Sequence, residues 1–74
     1  NPNTQIEYSV PVTGHVSLKV FKMTGQEVAT LFDGVRHAGN YVATFDGTVL
    51  ASGVYFYQLK SGSVSITKKF ALIK

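Results

Sequence analysis

The chain reads as an all-β domain, a β-sandwich of about seven short antiparallel strands in which no helix is required. Three observations predict this. Apolar and polar residues alternate with a period of two in several short runs, the pattern of strands that cover a core on one side. Gly-bearing turn signals separate those runs at the spacing of roughly eight to twelve residues typical of sandwiches. Charged residues are only 15% of the chain and hydrophobic ones 45%, a balance that fits a packed β domain and not a disordered tail.

Taken in order, Asn1-Pro2-Asn3 leads into Gln5–Val10, where Ile6, Tyr8 and Val10 share one face and Gln5, Glu7 and Ser9 the other. Pro11 ends this run because it has no N–H to donate, and Thr13-Gly14 makes a turn. His15–Phe21 alternates again, with Val16, Leu18 and Val20 inward, so the two runs are expected to form a hairpin. Gly25 supplies the φ > 0 position of the next tight turn, and Glu27–Phe32 follows as a strand. Its apolar spacing also resembles a helix, but a run this short between two Gly turns is below the length at which a helix stands alone. Asp33-Gly34 reads as a turn and Val35–Asn40 as a connection. Tyr41, Ala43 and Phe45 share the inner face of the next strand, which Asp46-Gly47 closes, and Thr48–Ala51 links onward.

Ala51–Lys60 is the most aromatic stretch, with three of the chain's nine aromatic residues, and is expected to be a central strand. Tyr55, Tyr57 and Leu59 form one face; Val54, Phe56 and Gln58 form the other, leaving Phe56 partly exposed. In immunoglobulin-like sandwiches a Tyr near the start of the sixth strand bonds back to the backbone at a corner, and the residue two further on points inward. Tyr55 and Tyr57 fit those two roles, which makes the expected fold an immunoglobulin-like β-sandwich. Ser61-Gly62 then turns the chain into Ser63–Ile73, where Val64, Ile66, Phe70 and Leu72 alternate inward and Lys68 falls on the same face. Either the Lys68 stem lies along the core with its ammonium at the rim, the simpler arrangement, or a bulge at Lys68-Lys69 re-aims the strand.

Seventy-four residues are expected to make one domain, residues 1–74, burying roughly 60% of its unfolded surface. Without cysteine there is neither a disulfide framework nor a thiolate metal site. The net charge of +3 is dispersed, with only Lys68-Lys69 adjacent, which argues against nucleic-acid binding. No apolar run approaches the roughly 20 residues of a membrane span, so the chain is expected to be soluble and to begin like an excised or mature domain. His15 and His37 lack further ligands at metal spacing; Asp33 and Asp46 are explained by turns; Ser52 stands in no nucleophile elbow; the glycines lack phosphate-binding spacing. No catalytic, cofactor or metal residues are therefore assigned, and the domain is not expected to be an enzyme. Phe21 and Phe56 remain as possible contact residues, with Phe32 a further candidate, since Tyr41, Phe45, Tyr55 and Tyr57 are needed inside.

The opening Asn1-Pro2-Asn3-Thr4-Gln5-Ile6, Tyr8-Ser9-Val10-Pro11, Gly14-His15-Val16, Gly25-Gln26-Glu27-Val28-Ala29, Ala38-Gly39, Asp46-Gly47, Ala51–Tyr57 and the ending Lys68-Lys69-Phe70-Ala71-Leu72-Ile73-Lys74 together resemble the type A C-terminal sorting domain of the type IX secretion system. The pattern is similar also to the immunoglobulin-like domain of the flagellar hook-cap protein. Met23-Thr24 departs from the family where an apolar pair often precedes the Gly. The resemblance implies a non-catalytic module at the end of a larger secreted bacterial protein, recognised by the outer-membrane export and attachment machinery and carried to the cell surface or medium. It places the sorting signal in Lys68–Lys74, with Gly53, Tyr55 and Tyr57 supporting the fold. The alternative is a structural or adhesive module that contacts upstream or like domains through Phe21 and Phe56; a carbohydrate-binding surface centred on Phe56 is a third reading.

Overall fold

A computed structural model describes residues 3–48 and 50–73. It contains six strands and no helix among the described residues: β1 (Asn3–Val10), β2 (Gly14–Lys22), β3 (Glu27–Arg36), β4 (Gly39–Asp46), β5 (Gly53–Ser61) and β6 (Val64–Leu72). They form a four-stranded sheet in the order β3-β2-β5-β6 and a two-stranded sheet of β1 and β4, all antiparallel. The expected all-β sandwich is the observed class, with six strands in place of about seven. The aromatic strand is consequently the fifth and not the sixth.

The core lies between the two sheets and is built by the alternation visible in the sequence. Ile6, Tyr8 and Val10 of β1, Val16, Leu18 and Val20 of β2, Phe45 of β4, Tyr55 and Leu59 of β5 and Leu72 of β6 are its buried members. β2 is central: its three inward residues are completely buried, between β3 on one side and β5 on the other.

The expected hairpin of β1 and β2 is not formed. β1 pairs with β4 from Asn3↔Asp46 to Val10↔Gly39, so the chain crosses from one sheet to the other at Pro11–Thr13. Alternation puts the apolar faces of β1 and β2 toward a common core, and that is satisfied equally by neighbours in one sheet and by strands facing each other across the sandwich. The crossing is tied down by the Ala38 N–H, which donates to Thr13 Oγ1 at 2.9 Å.

β3 also differs from its expected bounds. Asp33-Gly34 is no turn: both residues lie inside the strand, opposite Ser17 and Val16, and the strand runs on to Arg36. The β2–β3 register shifts between Leu18 and Lys19 and between Val20 and Phe21, so that Leu31 and Val28 are extra residues on β3. Each bulge resets the alternation. Val28, Ala29, Leu31 and Phe32 all become partly buried, which explains the helix-like apolar spacing of this strand.

Two local devices fix the ends of the sheets. At the β2–β3 turn the Gly25 N–H donates to the Lys22 carbonyl at 2.9 Å, with Gly25 at φ 93°, a conformation that L side chains rarely adopt. At the start of β5 the Tyr55 hydroxyl donates to the Ala51 carbonyl at 2.8 Å, the expected tyrosine corner. Tyr55→Phe removes that bond and keeps the ring, and is expected to cost about 1 kcal/mol, read as a lower thermal midpoint. An unchanged midpoint would show that the corner is held by ring packing alone.

Arg36 staples the far end of the sandwich. Its guanidinium lies 4.0 Å from the centre of the Phe32 ring and 4.3 Å from that of Tyr41, and Nη1 donates to the Tyr8 hydroxyl at 3.3 Å. Since Phe32 belongs to the four-stranded sheet and Tyr8 and Tyr41 to the other, one cation joins both layers.

Candidate functional site

Among the described residues no three His, Cys, Asp or Glu side chains are placed to hold a metal ion. His15, expected at the start of a strand, and Asp33, expected in a turn, are both strand residues joined across β2 and β3, with Nε2 2.8 Å from Oδ1 and both side chains largely exposed. Glu27 is 3.5 Å from Lys19 and accepts from Thr30 at 3.0 Å. His37 stays exposed between β3 and β4, where its carbonyl accepts from the Tyr41 hydroxyl at 2.5 Å. Asp46 closes β4 by accepting from both the N–H and the hydroxyl of Thr48.

The C-terminal segment lies along the margin of the four-stranded sheet. Among the described residues β6 pairs only with β5, and the register runs without a shift from Ser61↔Val64 to Gly53↔Leu72. There is accordingly no bulge at Lys68-Lys69, and Lys68 holds the inward-facing position that alternation assigns to it. Lys68, Phe70 and Leu72 form the inner series; Lys69 and Ala71 face out, and exposed Ile73 follows the strand. Leu72 is 1% exposed, and Phe70 packs edge-on against Phe45 of the opposite sheet at 5.8 Å. Lys74 lies outside the described residues.

Of the fold-supporting residues, Tyr55 is buried and Tyr57 half-buried, each within 6.3 Å of the Phe70 ring centre. β5 thus holds the last strand both by its ladder and by its rings. Gly53 opens β5, and a Cβ there would meet nothing within 4 Å.

On the outer face, Phe21 and Phe56 are register partners and stack at 5.4 Å with an interplanar angle of 16°. Lys69 stands opposite Phe56 on β6. The two rings bury part of their surface against each other, which accounts for their half-buried state on a solvent-facing sheet.

Sequence reasoning missed the other face of β6. Two strands do not cover four, and the first half of β6 lacks a lid: Val64 and Ile66 face inward yet remain 39% and 41% exposed. Beside them opens a groove of about 550 Å³ whose floor is Tyr57, Leu59, Ile66 and Lys68, with residues 7–9 and 40–42 as the opposing wall. The only sequence signal for it was Lys68 on an apolar face.

No helix among the described residues is long and apolar enough to cross a membrane. Searches of curated proteins and of solved structures returned no match. A family model described as the secretion system C-terminal sorting domain matches residues 1–74. With a match over its whole length, an all-β sandwich beneath it and a terminal strand on the sheet margin, this chain belongs to the family of C-terminal sorting domains of the type IX secretion system.

Proposed function

We propose that residues 1–74 act as a single module that directs a larger secreted bacterial protein through the type IX outer-membrane machinery, and that Lys68–Lys74 is the part that the machinery reads. Family membership marks the chain as a sorting signal whose carrier is exported through the outer membrane, secreted or displayed at the cell surface, and the family's role is sorting and not catalysis. The observation that carries the finer reading is the place of β6. As the last strand in the order β3-β2-β5-β6 it has one neighbour, so one row of its backbone N–H and C=O groups stays open to a receptor. Gly53, Tyr55 and Tyr57 serve this role indirectly, by presenting the strand.

The test is a reporter fused ahead of the chain in a bacterium with this export system, with the exported fraction measured for three forms. Removal of residues 68–74 is expected to abolish export. Because that removal also takes Phe70 and Leu72 out of the core, a second form carries Ala71→Asp and Ile73→Asp, both at exposed positions. It is expected to keep its thermal midpoint and lose most of its export. Export of the shortened form at the level of the intact one would overturn the assignment.

The stacked Phe21–Phe56 pair favours a second reading, a contact surface for upstream or like domains on the outer face. It predicts association that is lost on Phe56→Ala.

A further inference from the structure

The groove over the first half of β6 has the shape and charge of a place for one more strand. Along the inward face of β6 the cover changes from one end to the other: Leu72 is 1% exposed beneath the β4 end, whereas Ile66 is 41% and Val64 39% exposed. Of the stretch from Val64 to Lys68, Ile66 and Lys68 line the groove, whereas Val64 lines a separate, smaller one beside Pro11 and Ser61. A volume of about 550 Å³ lies within the range of roughly 300–1,000 Å³ found for ligand clefts. Its lining is mixed: Tyr41, Val42, Tyr57, Leu59 and Ile66 supply apolar and aromatic surface, and Glu7, Ser9, Asn40 and Lys68 supply polar and charged groups. The opposing sheet has two strands, so each of them is also an edge with an unpaired row of backbone groups.

Charge selects among possible occupants. Lys68 projects into this groove, and among the described residues no carboxylate lies within ion-pair distance of its ammonium. Glu27 and Asp33 are paired elsewhere, with Lys19 and His15, and Glu7 lines the opposing wall without reaching Lys68. A cation beside apolar walls attracts a carboxylate more strongly than the same cation in open water. An apolar strand without an acid would cover Ile66 and leave the ammonium desolvated and unpaired, which is costly.

We infer that the groove receives an extended segment of the export machinery that carries a carboxylate between apolar side chains at alternate positions, the carboxylate pairing with Lys68 and the apolar side chains covering Ile66 and Tyr57. This rests on the sorting function proposed above and adds a second surface of the last strand that is read, beside its exposed C-terminal residues. The signal then consists of a face of the folded domain, including residues outside Lys68–Lys74.

The closing experiment uses the same reporter fusion. Ile66→Glu places a negative charge in the groove, outside the C-terminal segment, and Thr67→Glu places the same charge one residue on, on the outer face; both residues are exposed, so the thermal midpoint checks that both variants fold. Ile66→Glu is expected to lower the exported fraction at least tenfold, and Thr67→Glu to leave it within twofold of the parent. Lys68→Glu is expected to behave as Ile66→Glu, and Lys68→Arg to retain export. Equal export of Ile66→Glu and Thr67→Glu, whether both high or both low, would overturn the inference. If removal of residues 68–74 still abolishes export in that case, the sorting assignment stands and only the groove falls; if the shortened form is exported, the sorting assignment itself falls.

Discussion

Leu18→Ala is expected to destabilise the domain by about 2–5 kcal/mol, the range for emptying a fully buried leucine site. Leu18 is 0% exposed at the middle of the central strand, opposite Phe32 on β3 and Leu59 on β5. Its neighbours belong to continuous ladders on both sides, so little relaxation is available to close the cavity. A domain of 74 residues has roughly 4–11 kcal/mol of stability in total at typical values per residue, so this one substitution removes a large share. At roughly 4–8 °C per kcal/mol for a chain of this size, the thermal midpoint should fall by about 8–40 °C. Val42→Ala, at a position 60% exposed, serves as the control and should stay within about 0.5 kcal/mol. A Leu18→Ala midpoint as high as the control's would mean that the sheets do not close over β2.

Leu72→Ala is expected to cost a similar 2–5 kcal/mol, and it separates folding from recognition. Leu72 is buried inside the segment assigned to sorting, directly against Gly47 after β4. A Cβ at Gly47 would lie 2.6 Å from Leu72 Cδ2 and 2.8 Å from Cδ1, closer than any real contact. A side chain at Gly47 therefore needs Leu72 to move. Gly47→Ala should cost about 1–3 kcal/mol by pushing Leu72 aside. Combined with Leu72→Ala, however, the new methyl occupies room that the leucine has left. The double variant should be more stable than the sum of the two losses, with a coupling of about 0.5–3 kcal/mol. Strict additivity in denaturant titrations would show that the two residues do not share that space. Because the loss is one of folding, export lost in Leu72→Ala should return in a host grown at lower temperature, whereas export lost through exposed Ala71 and Ile73 should not.

Within the segment proposed for sorting, the pleat of one strand separates two sets of residues. Phe70 packs against the opposite sheet and Leu72 is buried, while Lys69, Ala71 and Ile73 are exposed. Lys68 stands between the two, on the inner face but at the uncovered end. Among the described residues the ionisable groups lie mostly on outer faces and turns, with Asp33 beside His15 and Glu27 beside Lys19.

Much of this was legible in the chain itself. Strand positions, the inward residues of β1, β2, β4 and β5, the Gly25 turn, the Tyr55 corner and the family resemblance all rest on local signals: alternation, turn chemistry and short motifs. What only the tertiary structure decided is non-local. Alternation tells a strand which face to bury but not which strand lies beside it, so it suggests β2 as the neighbour of β1 when the partner is β4. A run with Asp-Gly inside it looks like a turn until a neighbouring ladder holds it extended, as β2 holds Asp33-Gly34 in β3. The bulges at Val28 and Leu31 arise from fitting β3 to β2, and they scramble the period from which the strand's faces would be read. Arg36 was one basic residue among seven until the crossing of the sheets brought Phe32, Tyr41 and Tyr8 around it. The groove beside Lys68 has the same origin: it is the space left where two strands cover four, and no residue states that count alone.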